Sequence, residues 1–105
     1  MKLADCLKVL SLSSCEQIRY LKEIGGVSVD ELALQFEDIA VLAAEKYDKG
    51  EISDDLFKLI GSLDEKLENM SGSDKEDLWT EKALASSNDW KIVREIAEMC
   101  LGKVL

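Results

Sequence analysis

Apolar residues recur every three to four positions along almost the whole chain, which is the spacing of one face of an α-helix. No stretch alternates apolar and polar residues over the length of a β-strand. Glycines and serines separate the helical stretches, and the chain contains no proline. We therefore predict an all-α fold, a compact single-domain bundle of about six short-to-medium helices over residues 1–105.

The first half of the chain is predicted to form three helices. The first covers residues 2–11, and the second runs from the Ser13–Ser14 pair to Gly25–Gly26, where glycine allows a left-handed backbone. Ser28, followed by Glu three residues later, has the pattern of a capping box for a long third helix that ends near Gly50. The apolar positions expected to face the core are Leu3, Leu7, Leu10, Val29, Leu32, Phe36, Ile39, Ala43 and Tyr47.

The second half is predicted to form three more helices. Ser53 should cap the first of them, which ends at Ser71–Gly72. A capping box at Ser73 should open the next helix, which reaches about Ser86. The last helix should begin directly afterwards and end at Gly102. The apolar positions expected to face the core are Leu56, Ile60, Leu63, Leu67, Met70, Val93, Ile96, Ala97 and Cys100.

Acidic residues are concentrated in the middle of the chain. Residues 30–81 contain sixteen acids and five bases, whereas each flanking segment has one more base than acid. Such a field repels nucleic acid and anionic membranes and accelerates encounters with basic proteins. We therefore expect a basic protein as the partner, and neither nucleic acid nor a membrane.

The chain shows no pattern of catalytic or metal-binding residues. It has no histidine, no Cys-x-x-Cys, no glycine-rich phosphate loop and no nucleophile elbow. The segment YDKGEIS resembles half of a calcium-binding loop, but with Gly50 at loop position six, three ligand positions fall on Tyr47, Lys49 and Leu56. We expect no enzymatic activity, no cofactor and no metal.

Cysteine usage and hydropathy bear on the cellular compartment. Cys6, Cys15 and Cys100 cannot all pair within one chain, and we expect buried free thiols, which suit a reducing environment. The apolar start of the chain is broken by Asp5 and Lys8, so it makes a poor signal peptide. No apolar run approaches the ~18 residues needed to span a bilayer. These features predict a cytoplasmic protein.

The C-terminal block LWTEKALASSNDWKIVREIAEMCL, Leu78–Leu101, combines tryptophans, a Val-Arg pair and helically spaced apolar residues. It follows a helix that contains Phe36, a KGEIS turn, and a helix that contains Leu56, Ile60 and Leu67. Together these stretches cover about two-thirds of the chain. They resemble bacterial immunity proteins of contact-dependent growth inhibition and related polymorphic toxin systems.

This resemblance implies inhibition of a cognate toxin rather than catalysis. The toxins of such systems are commonly nucleases, and a ribonuclease must hold phosphates in a cationic cleft. A carboxylate-rich surface can occupy that cleft and exclude RNA. The mid-chain acidity is consistent with this function.

Two other functions remain open. The segment IGSLDEKLE resembles the modified serine region of acyl carrier proteins, with Ser62 as the acceptor of phosphopantetheine. However, Gly61 stands where those proteins usually have Asp, and Ser62 falls inside a predicted helix instead of at its start. The other alternative is an acidic adaptor or nucleic-acid mimic that binds a basic protein.

The acidic turn after the long helix is the predicted contact surface for the partner. Four acids gather around this one connection, so their fields should add at a shared location: Asp48, Glu51, Asp54 and Asp55. The flanking candidates are Glu37, Asp38, Asp64, Glu65 and Glu68. Trp79 and Trp90 are expected to pack in or near the core. Arg94, four residues from both Trp90 and Glu98, is expected to stack or pair within the domain.

Overall fold

The computed structural model describes residues 3–104, apart from the side chain of Ser73. Over these residues the chain forms six α-helices and one 3₁₀ helix, and no strand. The helices are α1 (Leu3–Ser11), α2 (Ser14–Glu23), α3 (Asp30–Asp48), α4 (Asp54–Asn69), α5 (Glu81–Ser86) and α6 (Asn88–Val104). The 3₁₀ helix spans Ser73–Leu78. The predicted all-α fold is therefore confirmed.

The predicted apolar stripes meet in one hydrophobic core. Helix α6 packs against α1 and α4, and α3 packs against the same two helices. Almost every predicted inward position of α3, α4 and α6 is buried. The exceptions are Tyr47 and Ile96, which are half-buried. Tyr47 lies at the end of α3, where its ring stacks on Phe57 with centroids 4.1 Å apart.

The connection between α3 and α4 reverses the chain with a Schellman motif. The Gly50 N–H donates to the Tyr47 carbonyl at 3.0 Å, and the Glu51 N–H donates to the Lys46 carbonyl at 2.8 Å. Gly50 has φ of +73°, a left-handed conformation that side chains disfavour. Ser53 then caps α4, because its Oγ accepts from the Leu56 N–H at 3.1 Å. The two helices therefore form an antiparallel hairpin.

The prediction that Ser28 caps α3 is wrong. No side chain caps this helix, and Val29 stands at the N-cap position. Ser28 contributes its backbone carbonyl, which accepts from the Glu31 N–H at 3.1 Å. Val29 is buried, so packing of this residue sets the entry into the helix and outweighs the local capping pattern. Asp30 lies in the first turn, where its charge complements the helix dipole.

The prediction of a single helix from Ser73 to Ser86 is also wrong. A 3₁₀ helix ends at Leu78, and α5 starts separately after Thr80, whose Oγ1 accepts from the Ala83 N–H at 3.1 Å. The break lets both indoles reach carbonyl partners: Trp79 Nε1 donates to Met70 at 2.9 Å and Trp90 Nε1 donates to Leu78 at 2.6 Å. Burial of Trp90 and the carbonyl partners of both indoles thus accompany the break between the two helices.

Two further details of the C-terminal helix bear on the predictions. Helix α6 continues through Gly102 to Val104, because a glycine within a helix weakens it without ending it. Arg94 pairs within the domain as predicted, but with α2 and α5 and not in an ion pair with Glu98. Its Nη1 donates to Gln17 Oε1 and to the Leu84 carbonyl, both at 3.1 Å. Partial burial lowers the Arg94 pKa.

The three thiols are free, but they are not all buried. Cys6 and Cys100 lie in the core, whereas Cys15 is exposed in the first turn of α2, which contradicts its predicted burial. Burial raises the pKa of the Cys6 and Cys100 thiols to about 11. Over the described part of the chain, no helix has the length and apolarity to cross a membrane.

Candidate protein-binding surface

All nine predicted contact acids are exposed, and all lie on the α3–α4 hairpin or its turn. The structure nevertheless divides most of them between two places. Glu37 and Asp48 are eleven residues apart on α3, which corresponds to about 16 Å along the helix axis. Since α3 and α4 are antiparallel, Asp64 and Glu68 lie near the end of the hairpin that is opposite its turn.

The four acids at the closed end, Asp48, Glu51, Asp54 and Asp55, form what we call the turn cluster. Its charge is partly compensated. The Tyr47 hydroxyl donates to Asp54 Oδ1 at 2.7 Å, and this hydrogen bond raises the Tyr47 pKa. Asp55 Oδ2 lies 3.9 Å from Lys103 Nζ of α6. Lys49 is also part of this turn, so the cluster is less negative than its four acids suggest.

The open end of the hairpin carries a groove of about 340 Å³ between α3 and α4. Glu37, Asp64 and Glu68, three of the predicted flanking acids, line it. Its apolar lining comes from Ala33 together with the buried side chains of Phe36 and Leu67. Ala33 and Glu37 are four residues apart on α3, and Asp64 and Glu68 are four apart on α4, so each pair lies on one face of its helix.

A shallow depression of about 280 Å³ adjoins this groove through Ala33, Glu37 and Ser71. It adds Asp30, Leu34 and Trp79 to the lining. Leu34 is 53% exposed, and Trp79 is half-buried against the core. We call the two depressions together the hairpin groove. Four carboxylates and no lysine or arginine line it.

The bases nearest in sequence to the hairpin groove are engaged in other contacts. Lys66 Nζ of α4 lies 2.6 Å from Asp89 Oδ1 at the start of α6. Lys75 donates to the backbone carbonyl of Asn69 at the end of α4. Among the described residues, no carboxylate of the groove forms an ion pair, whereas Asp55 of the turn cluster pairs with Lys103. The groove is in this respect the less compensated of the two acidic regions.

Asp38 and Glu65, the other two predicted acids, do not line the groove. Both are exposed on the hairpin, so they contribute to its general field without forming part of a concave site. The sequence prediction also missed Asp30, Leu34 and the exposed part of Trp79. Leu34 was detectable in principle, because it is a large apolar residue off the core stripe of an acidic helix.

The serine on which the carrier-protein alternative depends lies where the local sequence predicted it, inside a helix. Ser62 is exposed in the middle of α4, and its Oγ donates to the Lys58 carbonyl at 3.2 Å. Its predicted position inside a helix is confirmed. Over residues 3–104, no group of three or more Cys, Asp or Glu side chains is placed to hold a metal ion.

Comparison with known proteins identifies no relative. No protein-family model matches the sequence, and neither a curated protein nor a solved structure matches the chain.

Proposed function

We propose that this protein is a cytoplasmic immunity protein that binds and neutralises a cognate bacterial toxin, a ribonuclease. The single observation that carries the proposal is the set of exposed carboxylates on one helix hairpin, with a carboxylate-lined groove at its less compensated end. In this proposal the hairpin covers the cationic active site of the toxin. The resemblance of Leu78–Leu101 to immunity proteins supports the same function.

Electrostatics explains how such a surface would inhibit a ribonuclease. The enzyme must concentrate Lys and Arg where the RNA phosphates bind, so a carboxylate array of similar charge competes for those groups. Residues 30–45 contain five acids and no base, which concentrates the attraction on the first four turns of α3. The opposite charges accelerate encounter, and added salt should slow it.

The rigidity of the hairpin favours tight binding. Its buried side chains are part of the core, and the turn between its helices is closed by backbone hydrogen bonds. A partner that binds preformed helices does not have to order them, so less free energy is lost on association. An inhibitor of a lethal enzyme needs both rapid association and slow dissociation, and this arrangement favours both.

The test is co-expression with the basic C-terminal domain of the protein encoded immediately upstream. The wild-type chain should restore growth and protect cellular RNA. A fourfold variant, with Lys at Glu37, Glu51, Asp55 and Glu68, should lose protection and associate at least about tenfold more slowly at low salt. The matched control carries Lys at four exposed acids outside the hairpin: Asp5, Glu23, Glu95 and Glu98.

Circular dichroism must show that both fourfold variants keep their helical content. The control variant should protect nearly as well as the wild type, because its changes leave the hairpin untouched. If the wild-type chain neither binds the upstream domain nor restores growth, the proposed function is wrong. If both variants lose protection equally, net charge rather than the hairpin is responsible.

A further inference from the structure

We infer that the hairpin groove binds one apolar side chain of the partner, flanked on both sides by lysines or arginines. This inference rests on the proposed function and deepens it, because it names the contact site and the chemistry that the site selects. It also moves the main contact from the turn cluster, where sequence alone placed it, to the open end of the hairpin.

The shape and lining of the groove define what it can accept. Glu37 of α3 and Asp64 and Glu68 of α4 line it, together with Ala33 and the buried side chains of Phe36 and Leu67. A side chain that enters the hairpin groove therefore meets carboxylates and, beside them, the apolar surface of Leu34 and Trp79. Apolar surface next to charged side chains is typical of the anchor points of protein interfaces.

The exposed apolar residues beside the groove point to the same use. Leu34 and the half-buried Trp79 leave apolar surface in water next to the depression. A partner side chain that covers them removes this surface from water, and aromatic residues in such positions often dominate binding energy. Trp90, by contrast, is fully buried and is unavailable to a partner.

Charge complementarity identifies the occupant as a basic protein segment. A second copy of this chain would bring its own carboxylates against the rim and be repelled, since the chain carries a net charge of −9. Nucleic acid and anionic lipid would be repelled in the same way. Asp30 and Glu37 are seven residues apart, or about two helical turns, so the rim suits cationic side chains on either side of an anchor.

Two synthetic peptides provide a direct probe. The first is a helical peptide with lysines on both sides of two leucines, and its twin has serines in place of the leucines. Each is titrated into the ¹⁵N-labelled full chain at moderate salt, with amide shifts and tryptophan fluorescence as readouts. We expect shifts in residues 30–37 and 64–72, and at least about tenfold tighter binding of the leucine peptide.

Two charge-reversal pairs locate the site, because they change the net charge equally. Glu37→Lys with Glu68→Lys alters the groove and should weaken binding of the leucine peptide by about tenfold or more. Glu51→Lys with Asp55→Lys alters the turn cluster and should weaken it by less than about threefold. Equal losses in the two pairs, or amide shifts centred on the turn, would overturn the assignment.

A second pair of variants tests the apolar part of the inference. Leu34→Ser should reduce the preference for the leucine peptide over its twin by about threefold or more. Val41→Ser is the matched control, since Val41 is 63% exposed on the same helix but lies outside the groove. If Leu34→Ser leaves the preference unchanged, or if both peptides bind wild type equally, the groove does not select an apolar anchor.

The outcome separates this inference from the proposed function. Peptide binding at the groove without protection against the upstream toxin domain would support the site and contradict the immunity function. Protection that survives the Glu37→Lys, Glu68→Lys pair would support the immunity function and overturn the site.

Discussion

Replacement of Gln17 by Leu tests how the helices are held together. Gln17 is the fully buried polar side chain among the described residues. Its Nε2 donates to the carbonyls of Val9 and Leu10, at 3.1 and 3.0 Å, and these groups lie at the end of α1. Its Oε1 accepts from Arg94 of α6, which also bonds the Leu84 carbonyl of α5. One amide thus joins α1, α2 and α6.

The magnitude follows from what the replacement leaves unpaired. Leu has a similar volume, so little cavity forms, but the Leu10 carbonyl loses the Gln17 donor, whereas the Val9 carbonyl keeps the bond from the Leu12 N–H at 3.3 Å. An unsatisfied buried polar group costs about 1–3 kcal/mol. Part of this free energy is recovered, because carbonyls at the end of a helix can shift and form hydrogen bonds with water. Arg94 is half-buried, so water replaces most of its lost bond. We expect a net loss of about 1–3 kcal/mol in the free energy of unfolding.

Urea unfolding followed by circular dichroism measures this loss. With a slope typical of small proteins, the urea midpoint should fall by about 1–2 M. Gln35→Leu is the matched control, because Gln35 is half-buried and makes one side-chain bond, from the Tyr20 hydroxyl at 3.1 Å. It should cost under about 1 kcal/mol. A Gln17→Leu variant no less stable than Gln35→Leu would refute the reasoning.

Two further outcomes test the core. Phe36→Ala should lower the free energy of unfolding in urea by about 3–5 kcal/mol, because the ring is fully buried. A loss below about 0.5 kcal/mol would place Phe36 outside the core. Burial raises the pKa of Cys6 and Cys100 from 9.0 to about 11, because the folded state favours the neutral thiols. The contribution of the two thiols to the free energy of unfolding is complete below pH 9 and is lost as the pH rises toward 11. Between these values, the urea midpoint of wild type should fall more steeply than that of a Cys6→Ala, Cys100→Ala variant, and equal slopes would contradict this explanation.

Local signals in the sequence predicted most of the helices. The glycines after α2 and α3 and the serines at positions 13 and 53 all act where they were predicted to act. Such signals succeed because capping and left-handed turns depend on a few neighbouring residues. They failed at Ser28 and within residues 73–86, where burial of Val29 and the packing and hydrogen bonds of two tryptophans outweigh the local preference.

The contacts of the partner surface depend on residues far apart in the chain. Lys103 approaches Asp55 from the last helix, and Lys66 pairs with Asp89, so the charge compensation cannot be read from adjacent residues. The groove likewise combines residues near position 35 with residues near position 68, which meet only because Gly50 reverses the chain.

The sequence by itself determined the helical class, the inward faces and the acidity of the hairpin, because each depends on residue type and short-range spacing. Only the tertiary structure decided which acids share a concave surface, which are compensated, and that Gln17 joins three helices. Long-range packing sets these features, since the position of a side chain relative to distant helices is not encoded in any local pattern.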